Sequence, residues 1–456
     1  MIDFSLGELK ELCKGTLVGK DLTVKAVSTD SRNCRGALFV ALRGERFDAH
    51  DFVNNAVSNG AVAVAVSRDV GSLSVPLLRC QDTLRLLGFC GLCVRKKSRA
   101  KVVSLTGSCG KTTVKELTAG ILRLCGNTVS TRGNFNNDVG VPLTLLELSK
   151  DTQYAVIEQG ASHLHDISRT CEFVCADVAL INNAGSAHIE GFGSKKGVYL
   201  GKSEILQDVF SRGGVGIVPS DSEWFECWKS DFSEAYSQGR LLTFGTHKDD
   251  FVRLVKVKTS EEGISFSLNA AGECFETALP LLGVHNAMNA AAACALSLCA
   301  GAKSACLKQG LEKYRPMQGR LCVRRFGSFT LIDDAYNASF NAVLAAADVL
   351  SGCHGHRVMI LGDMGELGSE ASHLHSKAGE YAKGRADELW CLGELTKQSC
   401  AAFGKGAKHF ESQEALIKAA CELAKSELHA CFLVKGSHAM HMDLVNQALV
   451  KLGEKQ

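Results

Sequence analysis

Proline is scarce in this chain, with five among 456 residues. A stiff, proline-rich spacer between domains is thereby excluded. Excess charge is also lacking: 51 Lys and Arg against 49 Asp and Glu leave a formal net charge of +2. That balance gives no electrostatic case for nucleic acid or an anionic membrane as the main partner. No apolar run reaches the ~18 residues that a membrane-spanning helix needs. The nearest approach, Ala287–Ala300, is short and interrupted by Asn289, and it reads as a buried helix. The N-terminus, Met1-Ile-Asp-Phe-Ser-Leu-Gly-Glu8, has neither a basic region nor an apolar core. No export signal is visible, so a cytoplasmic location is expected. Internal repeats and low-complexity tracts are absent from the sequence. Cysteine, by contrast, is plentiful at 20 residues. Without export these read as reduced thiols rather than a disulfide framework. Most lie in apolar stretches, as Cys294 and Cys299 do, where cysteine acts as a small hydrophobe. Cys90-Gly-Leu-Cys93 has metal or redox spacing, but it falls on a predicted helix with no second pair nearby and reads as core.

The most informative segment is Thr106-Gly-Ser-Cys-Gly-Lys-Thr-Thr113. It follows the apolar run Val102-Val-Ser-Leu105, a predicted buried strand, and precedes Val114–Leu122, whose apolar spacing predicts a helix. Strand, glycine loop and helix in that order form a phosphate cradle, in which backbone N–H groups and the positive helix end hold the anion. Gly107, Ser108, Cys109, Gly110, Lys111, Thr112 and Thr113 are the candidate nucleotide-binding residues. Lys111 would reach the terminal phosphates, and the Thr112 hydroxyl can bind Mg²⁺. The first glycine of the longer phosphate-loop pattern would fall at Leu105, so the shortened form argues against an ordinary GTPase or kinase. Cys109 is either a reactive thiol near a helix N-terminus or a neutral small residue.

The length predicts about three domains. Residues 1–84 mix short helices with strand-like runs at Leu38–Leu42 and Ala61–Val66. Residues 85–314 alternate strands, at Lys101–Thr106, Tyr154–Glu158, Val178–Asn182 and Gly216–Pro219, with helices. That is the pattern of a parallel sheet covered by helices. Phe251–Leu279 alternates around a turn at Glu261-Glu-Gly263 and reads as appended antiparallel strands. From Arg315-Pro316 to residue 456 the strand–helix alternation restarts, with strands at Thr330–Asp333, Arg357–Leu361, Glu388–Leu392 and Ala430–Lys435. The expected fold class is therefore α/β in three domains: a small N-terminal α/β domain, a central phosphate-loop ATPase domain with a parallel sheet, and a C-terminal Rossmann-like domain.

Parallel strands bring their carboxyl ends to one edge, where ligands bind. Glu158 ends one such strand, His188 follows another, and Lys202 lies on the helix-like Gly201–Ile205. A carboxylate beside a triphosphate is a natural Mg²⁺ ligand. Taken singly, each has an ordinary structural reading: helix cap, loop histidine, solvated lysine.

Short motifs run in order along the whole chain: Ser28-Thr-Asp-Ser-Arg32, Phe39–Phe52, Thr106–Glu116, Gly133-Asn-Phe-Asn-Asn-Asp-Val-Gly-Val-Pro142 and Val156-Ile-Glu-Gln-Gly160. Further on come Asn182–Ile205, His285-Asn-Ala-Met-Asn289, Gly319-Arg320, Asp333–Ala338, Leu361–Gly368 and Val434-Lys-Gly-Ser437. Together they resemble the Mur ligase family of ATP-dependent amide-forming enzymes. The resemblance implies that Thr112, Glu158 and His188 bind Mg²⁺ and that Lys202 is carbamylated (N6-carboxylysine), presenting two oxygens to metal. Lys111, His188 and Lys202 would be catalytic. It also implies that Asn286 and Asn289 contact adenine, and that Arg320 and Asp334 reach the nucleotide from the third domain. Ser28, Asp30, Ser31, Arg32, Arg43, Asp48, His50 and Asn137 would bind the other substrate, with Glu366 and Lys435 near its peptide. After Glu158 this chain departs from the family: Gln159-Gly160, Ser162-His163 and His165-Asp166 stand where Leu-Gly or Met-Gly, Asn-His and Gly-Glu are usual.

The implied activity is ATP-dependent joining of D-alanyl-D-alanine to UDP-N-acetylmuramoyl-tripeptide through an acyl phosphate, by a monomer with no nucleic-acid partner and no membrane insertion. The family's diamino-acid-adding ligase usually carries Asp-Asn-Pro-Arg, and no Asn-Pro-Arg occurs here. Folylpolyglutamate synthase, a second alternative, has its phosphate loop much nearer the N-terminus. A catalytically dead nucleotide-binding scaffold, the third, would not need Lys111, Thr112, Glu158, His188 and Lys202 together.

Overall fold

The computed structural model describes residues 1–44, 47–185, 188–427 and 429–455. The predicted loop Arg43–His50 and the segment before His188 therefore lie partly outside the described residues, at positions 45–46 and 186–187.

Three main sheets organise the chain in sequence order. The first is small, with strands in the order Thr16–Val18, Leu77–Arg79, Ala63–Val66, Leu38–Val40 and Val27–Ser28. A short antiparallel pair, Phe4–Ser5 with Thr23–Val24, stands beside it. The predicted strands at 38–42 and 61–66 are shorter than their apolar runs. Ala41 is buried outside the strand, its N–H donating to the Ala65 carbonyl, and the chain turns away before His50.

The second sheet has nine strands. Lys101–Thr106 lies between Tyr154–Glu158 on one side and Val178–Ile181 on the other, all parallel. Thr128–Ser130 closes one edge, and Val215–Pro219, Leu241–Gly245 and Val252–Ser260 extend the other. The hairpin strands Gly263–Ala270 and Glu273–Leu279 complete it in antiparallel register, as their alternation predicts. Successive connections thus leave Lys101–Thr106 to opposite sides, which opens a crevice at its carboxyl end. The register pairs Glu158 with Leu105 and Ile181 with Thr106, so these strand ends share one edge.

Helices Lys111–Arg123, His285–Cys299 and Ser304–Glu312 cover one face of this sheet. The alanine run of His285–Cys299 is fully buried, and its small side chains let backbone approach backbone closely. The opposite face buries Thr83–Lys97, Gly140–Leu146 and the first-domain helix Leu6–Cys13 in one continuous core. Cys90 and Cys93 sit in that core, and all twenty cysteines are free thiols. Asp82 caps Thr83–Lys97 by accepting from the N–H groups of Leu84 and Arg85.

The third sheet runs Cys322–Arg325, Phe329–Asp333, Ala430–Lys435, His356–Gly362, Glu388–Leu392 and Ala407–Phe410, parallel except for its first strand. Helices cover both faces and give two separate cores. Among the described residues, no helix is long and apolar enough to cross a membrane.

Candidate active site

One large cavity, about 1130 Å³, opens where the carboxyl ends of the second and third sheets face each other. Its floor is the phosphate loop. Gly110 has φ +76°, and a Cβ there would lie 2.5 Å from Asn289 Oδ1, so both conformation and space require glycine. The helix starts at Lys111, which aims its N-terminal N–H groups into the cavity. Lys111 Nζ donates to the Gly107 carbonyl at 2.8 Å. Desolvation in this floor holds its ammonium below the ordinary lysine range, against the pull of Glu158.

Glu158 is almost fully buried at the strand end beside the loop. Its Oε1 accepts from Asn136 Nδ2 at 2.8 Å and from the Thr112 hydroxyl at 3.4 Å. Its Oε2 is buried with no hydrogen-bond partner. A carboxylate oxygen left bare inside a protein is costly and calls for a cation.

His188 also lines the cavity, in the left-handed region at φ +57°. Its Nδ1 pairs with Glu366 of the third domain and lies 3.4 Å from the Ser162 hydroxyl. That pairing holds the Glu366 carboxyl below the ordinary range. Lys202 does not line the cavity; it stands behind Ala161, fully buried on helix Lys195–Ser211. Its Nζ donates to the Ala161 carbonyl at 3.3 Å and sits 5.3 Å from the centre of the Phe192 ring. Burial first, and Lys111 second, push its ammonium well below the ordinary lysine range.

The third domain supplies the facing wall. Arg320 Nη2 donates to the Thr112 hydroxyl at 3.2 Å, and its guanidinium lies over the Tyr336 ring at 4.1 Å. Asp334 pairs with Lys435 at 2.5 Å, and Lys435 also donates to the Asn337 carbonyl at 3.0 Å. Lys435 is thus a buried partner of Asp334, and it lines the cavity.

Asn286 and Asn289 line the cavity but are engaged with each other. Asn289 Nδ2 donates to Asn286 Oδ1 at 2.9 Å, Asn286 Nδ2 to the Leu282 carbonyl at 2.8 Å, and Asn182 Nδ2 to Asn289 Oδ1 at 2.9 Å. Asn182 Nδ2 also donates to the Cys109 carbonyl at 3.0 Å, so this amide chain braces the phosphate loop. Asn183 does more: its Oδ1 accepts from the N–H groups of Ser108 and Cys109, both at 2.9 Å. Burial raises the Cys109 thiol, which favours the neutral small residue over the reactive thiolate.

Sequence reasoning missed Asn136 and Asn183. Both lie in polar runs, Asn134–Asp138 and Asn182-Asn183, and only the fold says which amide turns inward. The altered loop after Glu158 resolves as well. Gln159 is fully buried, accepting from the Ser104 hydroxyl and donating to Thr170 Oγ1 at 2.7 Å. His163 and His165 are exposed. Asp166 Oδ2 accepts from the N–H groups of Ser162 and His163, at 2.9 and 2.8 Å, and fixes the turn. Asn137 lines the cavity, its Oδ1 accepting from Val139 and Gly140.

None of Ser28, Asp30, Ser31, Arg32, Arg43, Asp48 or His50 lines this cavity; all lie in the first domain. Asp30 and Arg32 form a two-pronged ion pair. Buried His50 is held by Asp48 and by the Ser67 N–H at 2.9 Å. The backbones of Arg43 and Asp48 pair in an isolated antiparallel bridge.

Three family models match in order: the Mur ligase family catalytic domain at residues 23–75, the Mur ligase middle domain at 105–297, and the Mur ligase glutamate ligase domain at 319–438. A UDP-N-acetylmuramoyl-tripeptide–D-alanyl-D-alanine ligase of Escherichia coli (strain K12) is 40% identical, over 99% of this chain and 100% of the relative. Among solved structures, MurF from Acinetobacter baumannii has a TM-score of 0.91 at 33% identity, covering 99% of both chains. MurF ligase from Thermotoga maritima, in complex with ADP, has a TM-score of 0.84 at 25% identity, over 95% of this chain and 98% of that one. With likeness that runs end to end in both sequence and fold, this chain belongs to the Mur ligase family, as do these MurF ligases.

Proposed function

We propose that this chain joins D-alanyl-D-alanine to UDP-N-acetylmuramoyl-tripeptide, converting ATP to ADP and phosphate, in cytoplasmic peptidoglycan precursor synthesis. The observation that carries this reading is the end-to-end similarity to ligases whose names state that reaction. The division of labour follows the sheets: residues 1–84 for the UDP-sugar end, 85–314 for ATP, and 315–456 to complete the nucleotide site. Ser28, Asp30, Ser31, Arg32, Arg43, Asp48 and His50 would contact the UDP end, and Asn137 the substrate nearer the loop.

In this mechanism the tripeptide carboxylate attacks the γ-phosphorus and the ATP β–γ bridge breaks, giving an acyl phosphate and ADP. The free amine of the dipeptide then attacks the acyl carbon, and phosphate leaves. Lys111 and the loop N–H groups bind the anionic oxygens; Arg320 approaches the same phosphates from the third domain. Asn286 and Asn289 would face adenine, and Asp334, set by Lys435, the ribose side. The chemistry is mostly positioning, because the dipeptide amine must arrive unprotonated and in line.

A divalent cation fits the site. Glu158 Oε2 is buried without a partner, and Thr112 lies against the other oxygen. Among the described residues, no group of three or more His, Cys, Asp and Glu is clustered for a metal, so further ligands must come from elsewhere. Thr112, Glu158 and His188 would hold Mg²⁺, together with Lys202 as its carbamate and phosphate oxygens. Bound there, Mg²⁺ supplies neutralisation of phosphate charge. For Lys202, burial supports the carbamate, since it favours the free amine that CO₂ requires, with one proton released; the lysine stands behind Ala161, which lines the cavity.

Two paired assays test the reading. UDP-muramoyl-tripeptide with D-alanyl-D-alanine is expected to give the pentapeptide product. UDP-muramoyl-dipeptide with a diamino acid is expected to give none. Product from the second pair alone would refute the assignment and leave family membership intact.

Arg320 on Thr112 and Glu366 on His188 make this a closed arrangement of the second and third domains. Small-angle scattering with an ATP analogue and UDP-tripeptide is expected to match this shape, and the ligand-free protein to be more extended. Identical profiles, in protein shown to bind both ligands, would favour a permanently closed form.

A further inference from the structure

Lys115 lies one turn along the phosphate-loop helix and is fully buried, yet neither phosphate binding nor the proposed metal site uses it. Its Nζ donates to the Thr131 carbonyl at 2.7 Å and the Gly133 carbonyl at 3.2 Å, and pairs with Glu116 Oε1 at 2.8 Å. Two of the ammonium donors therefore have carbonyl acceptors, and Glu116 supplies a neighbouring negative charge. Both carbonyls belong to irregular backbone, and that of Thr131 is in a buried residue, where an unpaired carbonyl is costly. Burying an ammonium is costly, and a methionine would fill the same space without that cost. Holding that loop is what distinguishes the lysine.

The loop it grips leads to Glu158. Thr131 Oγ1 accepts from the Glu158 N–H at 2.9 Å, and the Thr131 N–H donates to the Val156 carbonyl at 3.0 Å. Five residues on, Asn136 Nδ2 donates to Glu158 Oε1 at 2.8 Å, and the Asn136 carbonyl accepts from Gly160 at 2.8 Å. Asn136 occupies one carboxylate oxygen and leaves Oε2 bare. The clamp thus runs from the phosphate-loop helix through 131–136 to the carboxylate that faces the nucleotide. We propose that Lys115 is a positioning residue: by fixing this loop it sets the orientation in which Glu158 presents its free oxygen to a nucleotide-bound divalent cation. This rests on the role given to Glu158 in the proposed function.

The test uses the full-length protein and three variants: Lys115→Met, Asn136→Ala and the double change. Calorimetry measures ADP binding in Mg²⁺ and in EDTA, and the ratio of the two affinities is the readout. Lys115→Met is expected to reduce that ratio by about 10-fold, the scale on which outer-shell changes weaken metal binding. ADP affinity in EDTA and KM for the dipeptide should stay within about twofold of wild type while kcat falls, because the loop is assigned no contact with ADP or the dipeptide except through Glu158. Asn136→Ala should reproduce the loss, and the double change should add little to either, since both break one chain of contacts. A lower Tm with an unchanged Mg²⁺ ratio would reduce Lys115 to a packing residue and overturn the proposal. Multiplying losses in the double variant would overturn it too. If Lys115→Met fails to fold, Asn136→Ala alone decides, because it cuts the same chain of contacts without removing the buried ammonium; an unchanged ratio there refutes the proposal. Wild-type protein that cannot ligate D-alanyl-D-alanine would instead sink the functional reading.

Discussion

Lys111→Ala is expected to lower kcat by about 10³-fold, the scale seen when a preorganised donor to developing charge is removed. The cavity floor explains the size of the effect. Lys111 stands at the first helical position, where the loop N–H groups and the helix end already gather positive potential. It donates to the Gly107 carbonyl, so its reach is fixed by the loop rather than by a mobile stem. Charge moves onto the β–γ bridge oxygen as the γ-phosphoryl leaves, and an alanine removes one of the cations assigned to meet that charge. The loop itself should persist, because Asn182 and Asn183 hold it from the next strand. ADP binding should therefore weaken far less than turnover. Single-turnover phosphate release together with ADP calorimetry measures both. Near wild-type turnover by this variant would remove Lys111 from the mechanism.

Lys202→Met should lower turnover by a similar factor, yet make the protein more stable. The ammonium is buried against Phe192 and the Ala161 carbonyl, and burial lowers its proton affinity well below the ordinary lysine value of about 10.4. In the window between that lowered value and the ordinary one, the unfolded chain binds a proton that the folded chain does not. Stability of the wild type should then rise with pH across the window, and the Met variant should lack this slope. Thermal unfolding in CO₂-free buffer with EDTA, at several pH values, is the measurement. Methionine should raise Tm most at the acidic end of the window and least at its alkaline end. A lower Tm for Lys202→Met throughout would mean that the amine is well accommodated as a cation. In CO₂-containing buffer, mass spectrometry of the native protein should show one added CO₂ in the wild type and none in the variant. Short carboxylates should restore part of the activity of Lys202→Ala.

The order of elements around the phosphate loop was legible because each depends on local pattern. Lys101–Thr106 and Tyr154–Glu158 are continuous apolar strands covered on both faces, and their ends are fixed by the residues that break the run. The same logic found the hairpin turning at Glu261-Glu-Gly263. The first domain was harder to read. Thr16–Val18 and Leu77–Arg79 are three-residue strands that pair with each other from opposite ends of the domain, so local pattern carries little of their signal. Within the site, Glu158 and Lys111 could be located from their strand and helix ends. Asn136 and Asn183 could not, because an asparagine in a polar loop looks the same whether it faces solvent or a buried carboxylate. Lys435 and Asp334 each stand at a strand end, and only the parallel register of Phe329–Asp333 with Ala430–Lys435 brings them together.

The central claim is that a carboxylate of the first substrate is activated by phosphoryl transfer inside this cavity before the amine arrives. Isotope transfer tests it most directly. UDP-muramoyl-tripeptide carrying ¹⁸O in both oxygens of its terminal carboxylate is incubated with ATP, Mg²⁺ and D-alanyl-D-alanine, and the released phosphate is analysed by mass spectrometry. An acyl phosphate requires one ¹⁸O in each phosphate formed and one retained in the new amide carbonyl. Phosphate free of ¹⁸O, with product formed at the normal rate, would contradict the account.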